Sequence, residues 1–226
     1  YAEKYDRKWS DAYYENLKEK IKELDSLLVE KLSVYEFKRK SRLIFYRKVG
    51  DCIQHICFVE TKIRGVDQIH IAVTVGFTYV ELNKLIYFIQ NEEYKVRATS
   101  INDMSALVEN NEIYRFYISG DTNLIPIVNA IIRDIKKYTL DYLDSCNTME
   151  KYRKELIERN EKVRLGIYGL KRPEWNLLAL ELLLNYDGYK KILEEYETDF
   201  ESNHPFFLPS EEYIKNIDIN KKEFLK

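Results

Sequence analysis

Apolar residues recur every three or four positions near the start of the chain. Between about Ser10 and Leu32 they fall on one stripe, and charged residues occupy the remaining positions. The stripe consists of Tyr14, Leu17, Ile21, Leu24, Leu28 and Leu32. This spacing predicts an amphipathic helix, and Ser10 is the residue type that caps a free amide in a first helical turn.

The period then changes to that of strands. Residues 42–49, 52–60 and 68–77 are rich in β-branched and aromatic residues, and turn residues separate them, including Gly50-Asp51. The pattern predicts a three-stranded antiparallel meander. In the third run, apolar residues alternate with a mixed set, which is typical of a sheet that helices cover on one side.

Later segments give weaker patterns. Residues 79–89 fit a helix or a strand equally well, whereas residues 94–100 and 112–118 are predicted strands. Asn123 is a predicted N-cap, because Pro126 then lies in the first turn, where its missing amide costs nothing. The helix that follows carries an apolar stripe from Leu124 to Tyr138.

The C-terminal part is predicted to be helical. Asn147 and Glu150 have the spacing of a capping box for a helix to about Leu165. Residues 174–186 and 189–196 resemble one tetratricopeptide-type hairpin, and the tail beyond Glu201 is expected to dock back as extended chain. The prediction is an α+β fold, with a mainly antiparallel sheet covered by helices in residues 1–146 and an α-helical subdomain in residues 147–226.

Composition narrows the classes of protein. Hydrophobic residues make up 45% and charged residues 33%, which excludes disorder, and no apolar run is long enough to cross a membrane. Lys and Arg number 36 against 38 Asp and Glu, a balance that argues against a strongly basic nucleic-acid-binding protein. Three cysteines and the absence of a signal segment lead us to expect a cytoplasmic protein.

Two segments carry a family resemblance. Phe37-Lys38-Arg39-Lys40-Ser41 to Arg47, followed by Ile53-Gln54-His55-Ile56, resembles the bacterial family called domain of unknown function 4304. Residues 96–101, 113–116 and 131–143 extend the likeness over residues 15 to 150. Glu36 stands where the family has glycine, and the family's Trp-Trp pair is absent. The resemblance implies a fold but no activity, and some small α/β families of this kind act as immunity proteins beside toxin genes.

Two charged surfaces are candidate binding sites. The basic surface consists of Lys38, Arg39, Lys40, Arg42, Arg47 and Lys48, and the acidic surface of Glu194, Glu195 and Glu197. Aromatic residues between the cations would suit a nucleic acid, because bases stack on rings while cations contact phosphates. The alternatives are an edge strand that charges protect from aggregation and a solvated helix face.

Glu60 and Lys62 match half of a metal-dependent nuclease site. In such sites the acid holds Mg²⁺ and the lysine steadies the phosphate charge. The second acid is missing, because Asp51 is about nine residues away on the same strand, at roughly 3.3 Å each. The triplet is also common by chance.

His55, Cys57 and His70 are the residues closest to a zinc pattern. Zinc needs three or four converging ligands, and whether His70 shares a face with the other two depends on the hairpin register. No fourth ligand stands out, and the chain has no glycine-rich phosphate loop. We therefore predict no metal and no cofactor.

The functional prediction is a non-catalytic protein-binding module, with an immunity or defence role as one form of it. Its contact surface would be a sheet face or the acidic hairpin. The alternative is a nucleic-acid-binding or nuclease-like protein that uses the basic strand at residues 38–48 with Glu60 and Lys62.

Overall fold

The computed structural model describes residues 2–62, 68–90, 93–108, 114–158, 163, 173–186 and 188. The chain divides into two compact units made of interleaved segments. The first contains Tyr1–Lys48, Ile53–Gly76 and Asn102–Asp144, and the second contains Val49–Cys52, Phe77–Ile101 and Ser145–Lys226. The division at residue 146 stays a prediction.

A six-stranded antiparallel sheet and several helices confirm the α+β class. The strands are β1 (Lys38–Ser41), β2 (Ile44–Val49), β3 (Cys52–Lys62), β4 (Ile69–Tyr79), β5 (Ser100–Asp103) and β6 (Arg115–Ile118). The first five lie in chain order across the sheet, and β6 pairs with β4. Gly50 turns the chain between β2 and β3 with φ at +57°, a value that glycine adopts without strain.

The strand predictions were right for the meander and wrong at two other places. The strand β1 was not predicted, because its four residues Lys-Arg-Lys-Ser have no apolar alternation. The predicted strand at 94–100 is absent: residues 93–98 form no regular element, and β5 begins at Ser100. The ambiguous segment is a helix, α2 (Val80–Ile89), which follows β4 without a loop.

The two faces of the sheet differ in burial. One face, the covered face, carries buried side chains such as Phe45, Ile56, Ile71 and Val73. Alternate residues form the open face, where side chains are half-buried or exposed. On β2, β3 and β4 the open face comprises Ile44, Tyr46, Lys48, Ile53, His55, Cys57, Val59, His70, Ala72 and Thr74.

The first helix, α1 (Ala2–Ser33), buries its predicted stripe from Leu17 to Leu32. It begins before Ser10, so Ser10 lies inside the helix and is not its N-cap. The helix ends in a Schellman motif, in which the amide of Phe37 donates to the carbonyl of Leu32 at 3.2 Å. Glu36 takes the left-handed position of this motif, with φ at +65°.

A buried carboxylate of α1 holds the turn between β1 and β2. Asp25 accepts a hydrogen bond from the amide of Leu43 at 2.8 Å and forms an ion pair with Arg39 at 2.7 Å. Leu43 has a φ of +62° and a side chain that is buried. A residue other than glycine is strained in the left-handed region. The hydrogen bond from Leu43 to Asp25 and the burial of the Leu43 side chain offset this backbone strain.

The helical segment after β6 begins as predicted. Asn123 caps α3 (Leu124–Asp134) by accepting from the amide of Ile125 at 3.1 Å. A π-helical turn, Ile135–Thr139, joins α3 to α4 (Leu140–Ser145). The apolar stripe is buried at Leu124, Val128 and Ile131, which places this helix in the core of the first unit.

The second unit contains α2, α5 (Met149–Ile157) and α6 (Pro173–Leu183), and α6 packs against the other two. Thr148 caps α5, whereas the prediction named Asn147. Arg153 donates to the buried carboxylate of Glu181 at 2.5 Å. A Cβ added at Gly188 would lie 2.6 Å from Oε2 of Glu181, so a larger residue there requires the Glu181 carboxylate to move. Residues 189–196 and the tail lie outside the described residues.

The left-handed position at residue 36 gives a stability prediction. Glu36→Gly should raise the free energy of unfolding by about 1 kcal/mol, because it removes the Cβ strain of a positive φ. Urea denaturation measures this change. Glu36→Ala is the control, because it keeps the Cβ and should give no gain. Equal stability of the glycine and alanine variants would contradict the interpretation.

Candidate binding surface

The six cations of the predicted basic surface fall into two groups of three. The three arginines are ion-paired: Arg39 with Asp25, Arg42 with Glu60, and Arg47 with Asp144. No ion pair in the described part of the chain includes Lys38, Lys40 or Lys48, and all three are exposed. The lysines are therefore the members of this group whose charge no ion pair in the described residues offsets.

Arg47 has the most extensive contacts of these residues. Its Nε donates to Oε1 of Gln54 at 2.6 Å, and its Nη2 donates to Asp144 at 2.8 Å. The guanidinium also lies 5.0 Å from the ring centre of Phe37. Gln54 in turn donates to the carbonyl of Leu143 at 2.8 Å. Arg47 thus makes structural contacts on the covered face, and its membership of the binding surface stays a prediction.

The three lysines belong to the open face. Lys38 pairs with Tyr46 across β1 and β2, and residues directly opposite each other share a face. Lys48 follows Tyr46 by two residues on β2, so it points to the same side. Lys40 is close enough to His55 and Cys57 for its charge to act on both. The lysines line one margin of this face.

Aromatic and cationic residues stand at the opposite margin. Tyr117 pairs with His70 across β6 and β4, and Arg115 pairs with Ala72. The rings of His70 and Tyr117 are stacked, with centroids 5.7 Å apart, and 58% of Tyr117 is exposed. Residues 112–118 are a predicted strand that was not assigned to a site. The alternation of Arg115 and Tyr117 with Phe116 and Ile118 was the available signal.

Between the two margins the open face is mostly apolar. Ile44, Ile53 and Ala72 are half-buried, and Val59 is 45% exposed. Asp103 is the acid whose charge acts on His70, and its carboxylate also accepts hydrogen bonds from Ser105. The face therefore combines an apolar interior with an excess of positive charge at its margins.

The nuclease-like pair is not arranged for metal binding. The carboxylate of Glu60 is engaged by Arg42, which competes for the oxygens that Mg²⁺ would need. Among the described residues there is also no group of three or more His, Cys, Asp and Glu side chains that could hold a metal ion. Glu60 and Lys62 therefore gain no support as a catalytic pair.

His55, Cys57 and His70 share the open face but do not converge. Thr74 donates to the carbonyl of Cys57, so these two residues lie side by side on β3 and β4. His70 is four residues further along β4, about 13 Å away at the usual rise per residue. That separation is too large for one zinc ion.

Burial sets the protonation of the thiol and of one imidazole on the open face. It lowers the pKa of His55 to about 4, with a smaller contribution from the charge of Lys40. Burial also raises the pKa of the Cys57 thiol. At neutral pH the imidazole is therefore uncharged and the thiol protonated, so neither the metal ligand nor the nucleophile that a thiolate provides is present.

The acidic candidates Glu194, Glu195 and Glu197 lie outside the described residues.

Within the described part, no helix is both long and apolar enough to span a membrane.

Comparison with known proteins adds no relative: no family model, curated protein or solved structure matches this chain. The resemblance to domain of unknown function 4304 accordingly stays a prediction.

Replacing Arg47 should distinguish its structural role from a binding role. Arg47→Met should lower the free energy of unfolding by about 1–3 kcal/mol, because it leaves the buried amide oxygen of Gln54 without its donor. The matched variant Lys48→Met should change it by no more than about 0.5 kcal/mol, since Lys48 is exposed. Urea denaturation of both variants gives the comparison, and equal effects would refute the assignment.

The low pKa of His55 predicts a pH dependence of stability. The unfolded chain binds a proton near the ordinary histidine pKa of about 6.5, whereas the folded chain does so only near 4. Stability should therefore fall as the pH is lowered through this interval. His55→Gln should flatten the dependence in a series of denaturation curves. An unchanged slope in that variant would show that His55 is not its source.

Proposed function

We propose that this protein is a non-catalytic binding module and that the open face of its sheet is the contact surface. The observation that carries the proposal is the difference between the two faces. The covered face is filled by packed side chains. The open face leaves Val59 and Tyr117 exposed and carries, at its other margin, three lysines that form no ion pair within the described part of the chain. Exposed apolar area bordered by charge is typical of interaction surfaces.

The chemistry of the face supports binding over catalysis. His55 is neutral and Cys57 is protonated, so the pair lacks the proton donor and nucleophile that such residues supply in enzymes. Glu60 is held by Arg42. The side chains that remain available are lysine ammonium groups, rings and aliphatic groups, all of which bind without reacting.

The positive charge of the open face indicates which charge its partner should carry. Among the described residues, Lys38, Lys40, Lys48 and Arg115 oppose one nearby carboxylate, that of Asp103, so the partner should be anionic where it meets the margins. The sequence favoured a protein partner, and the apolar interior of the face is compatible with one. A nucleic acid would meet the same charge requirement through its phosphates.

Two matched valine variants test the proposal. Val59→Asp adds a carboxylate to the open face, and Val29→Asp adds one at a similarly exposed position of α1, where 37% of the side chain is accessible. Tagged wild-type protein and both variants would be used as baits in an extract of the source cells, with bound protein and nucleic acid quantified. We expect Val59→Asp to reduce a bound component at least tenfold and Val29→Asp to retain it.

The result that would overturn the proposal is specific. If every component bound by the wild type is bound equally by the Val59→Asp variant, the open face is not the contact surface. Circular dichroism and denaturation of each variant would show that folding is preserved.

A further inference from the structure

The exposed lysines follow one another along one margin of the open face. Lys38 lies opposite Tyr46, and Lys48 is two residues further along β2. Lys40 follows Lys38 by two residues in the other direction, next to an irregularity in the β1–β2 pairing. Two residues of strand span about 7 Å. This step is comparable to the distance between successive phosphates of an extended single strand.

Aromatic rings lie next to this lysine row. The amide of Phe58 donates to the carbonyl of Leu43, and this register places Tyr46 beside His55 on the adjacent strand. His55 is uncharged at neutral pH, so its ring adds stacking area and no charge. Nucleobases stack on such rings at a gain of about 1–3 kcal/mol per base. A second pair of rings, His70 and Tyr117, lies further across the same face.

The exposed cations of the lysine row are suited to phosphate groups. Protein interfaces are enriched in arginine and depleted in lysine. Here the arginines of the basic strand are bound to carboxylates, and the lysines are left exposed. Lysine binds phosphate as a point charge. A duplex keeps its bases stacked inside, so only its phosphates would contact the lysines. A single strand could also place its bases on the rings and the apolar interior.

We infer that the open face binds single-stranded nucleic acid, with the sugar-phosphate backbone along Lys48, Lys38 and Lys40 and the bases over Tyr46 and the interior of the face. This inference rests on the proposed function, since it names the partner of the same surface.

The test uses oligonucleotides of defined length. Fluorescein-labelled 12-nucleotide oligo(U) and oligo(dT), and a 12-base-pair duplex, would be titrated with the full chain between 50 and 200 mM KCl. We expect both single strands to bind at least tenfold more tightly than the duplex. Three phosphate contacts should give a slope of about −2 for the logarithm of affinity against that of salt concentration.

Matched lysine variants locate the site. Lys38→Gln/Lys40→Gln/Lys48→Gln should weaken binding at least tenfold and make it nearly independent of salt. Lys18→Gln/Lys22→Gln/Lys31→Gln removes the same charge from α1, where each lysine is paired with a glutamate, and should bind like the wild type. Equal loss in both triple variants would overturn the placement on the open face.

Variants at Tyr46 test base stacking separately from charge. Tyr46→Leu should weaken single-strand binding severalfold at every salt concentration, whereas Tyr46→Trp should restore it, because only the ring is needed. Equal affinity of the leucine and tryptophan variants would refute stacking at this position.

The two proposals can fail independently. If the wild type binds none of the oligonucleotides, but the extract yields a nuclease-resistant protein that Val59→Asp loses, the binding module stands and its partner is a protein. If the oligonucleotides do not bind and no extract component depends on Val59, both proposals fall.

Discussion

The alternation of side chains in β2 determines which residues the open face presents to a partner. The contacts of Arg47 on the covered face fix this alternation. Arg47 shares the covered face with Phe45, where it joins Gln54 and Asp144. A guanidinium held in a partly buried network is costly to move, because each partner would lose its hydrogen bond. A shift of β2 by one residue would exchange the faces of Arg47 and Lys48. The network therefore maintains the register that places Lys48 on the open face.

The separation of arginine from lysine along the basic strand has a physical basis. Arginine satisfies several planar acceptors at once, as Arg47 does with Gln54, Asp144 and a backbone carbonyl. Lysine carries a strongly hydrated ammonium group that favours exposure. The six cations of the basic surface thus divide into three ion-paired arginines and three exposed lysines.

Periodicity predicted the large elements well, since the buried stripe of α1 and the β2–β3–β4 meander depend on local patterns. It did not reveal β1, whose four polar residues are ordered by pairing with β2 and by the ion pair of Arg39 with Asp25. It also assigned a strand at 94–100, although Thr99 instead holds the start of α2 through Tyr79 and Asn83. Partners distant in sequence decided both cases. The open face was predictable as a mixed face. Its lysines could not be separated from the arginines, because the carboxylates that pair with the arginines are distant in sequence.

Glu181 and Gly188 illustrate how a buried carboxylate limits the mutations open to this chain. The carboxylate occupies the space where any Cβ at 188 would stand, and Arg153 holds it there. A substitution at 188 therefore requires either that the carboxylate of Glu181 moves or that residue 181 becomes shorter. Shortening residue 181 first leaves the guanidinium of Arg153 without this partner. The order of changes matters, so the three positions should vary together among related sequences and not one at a time.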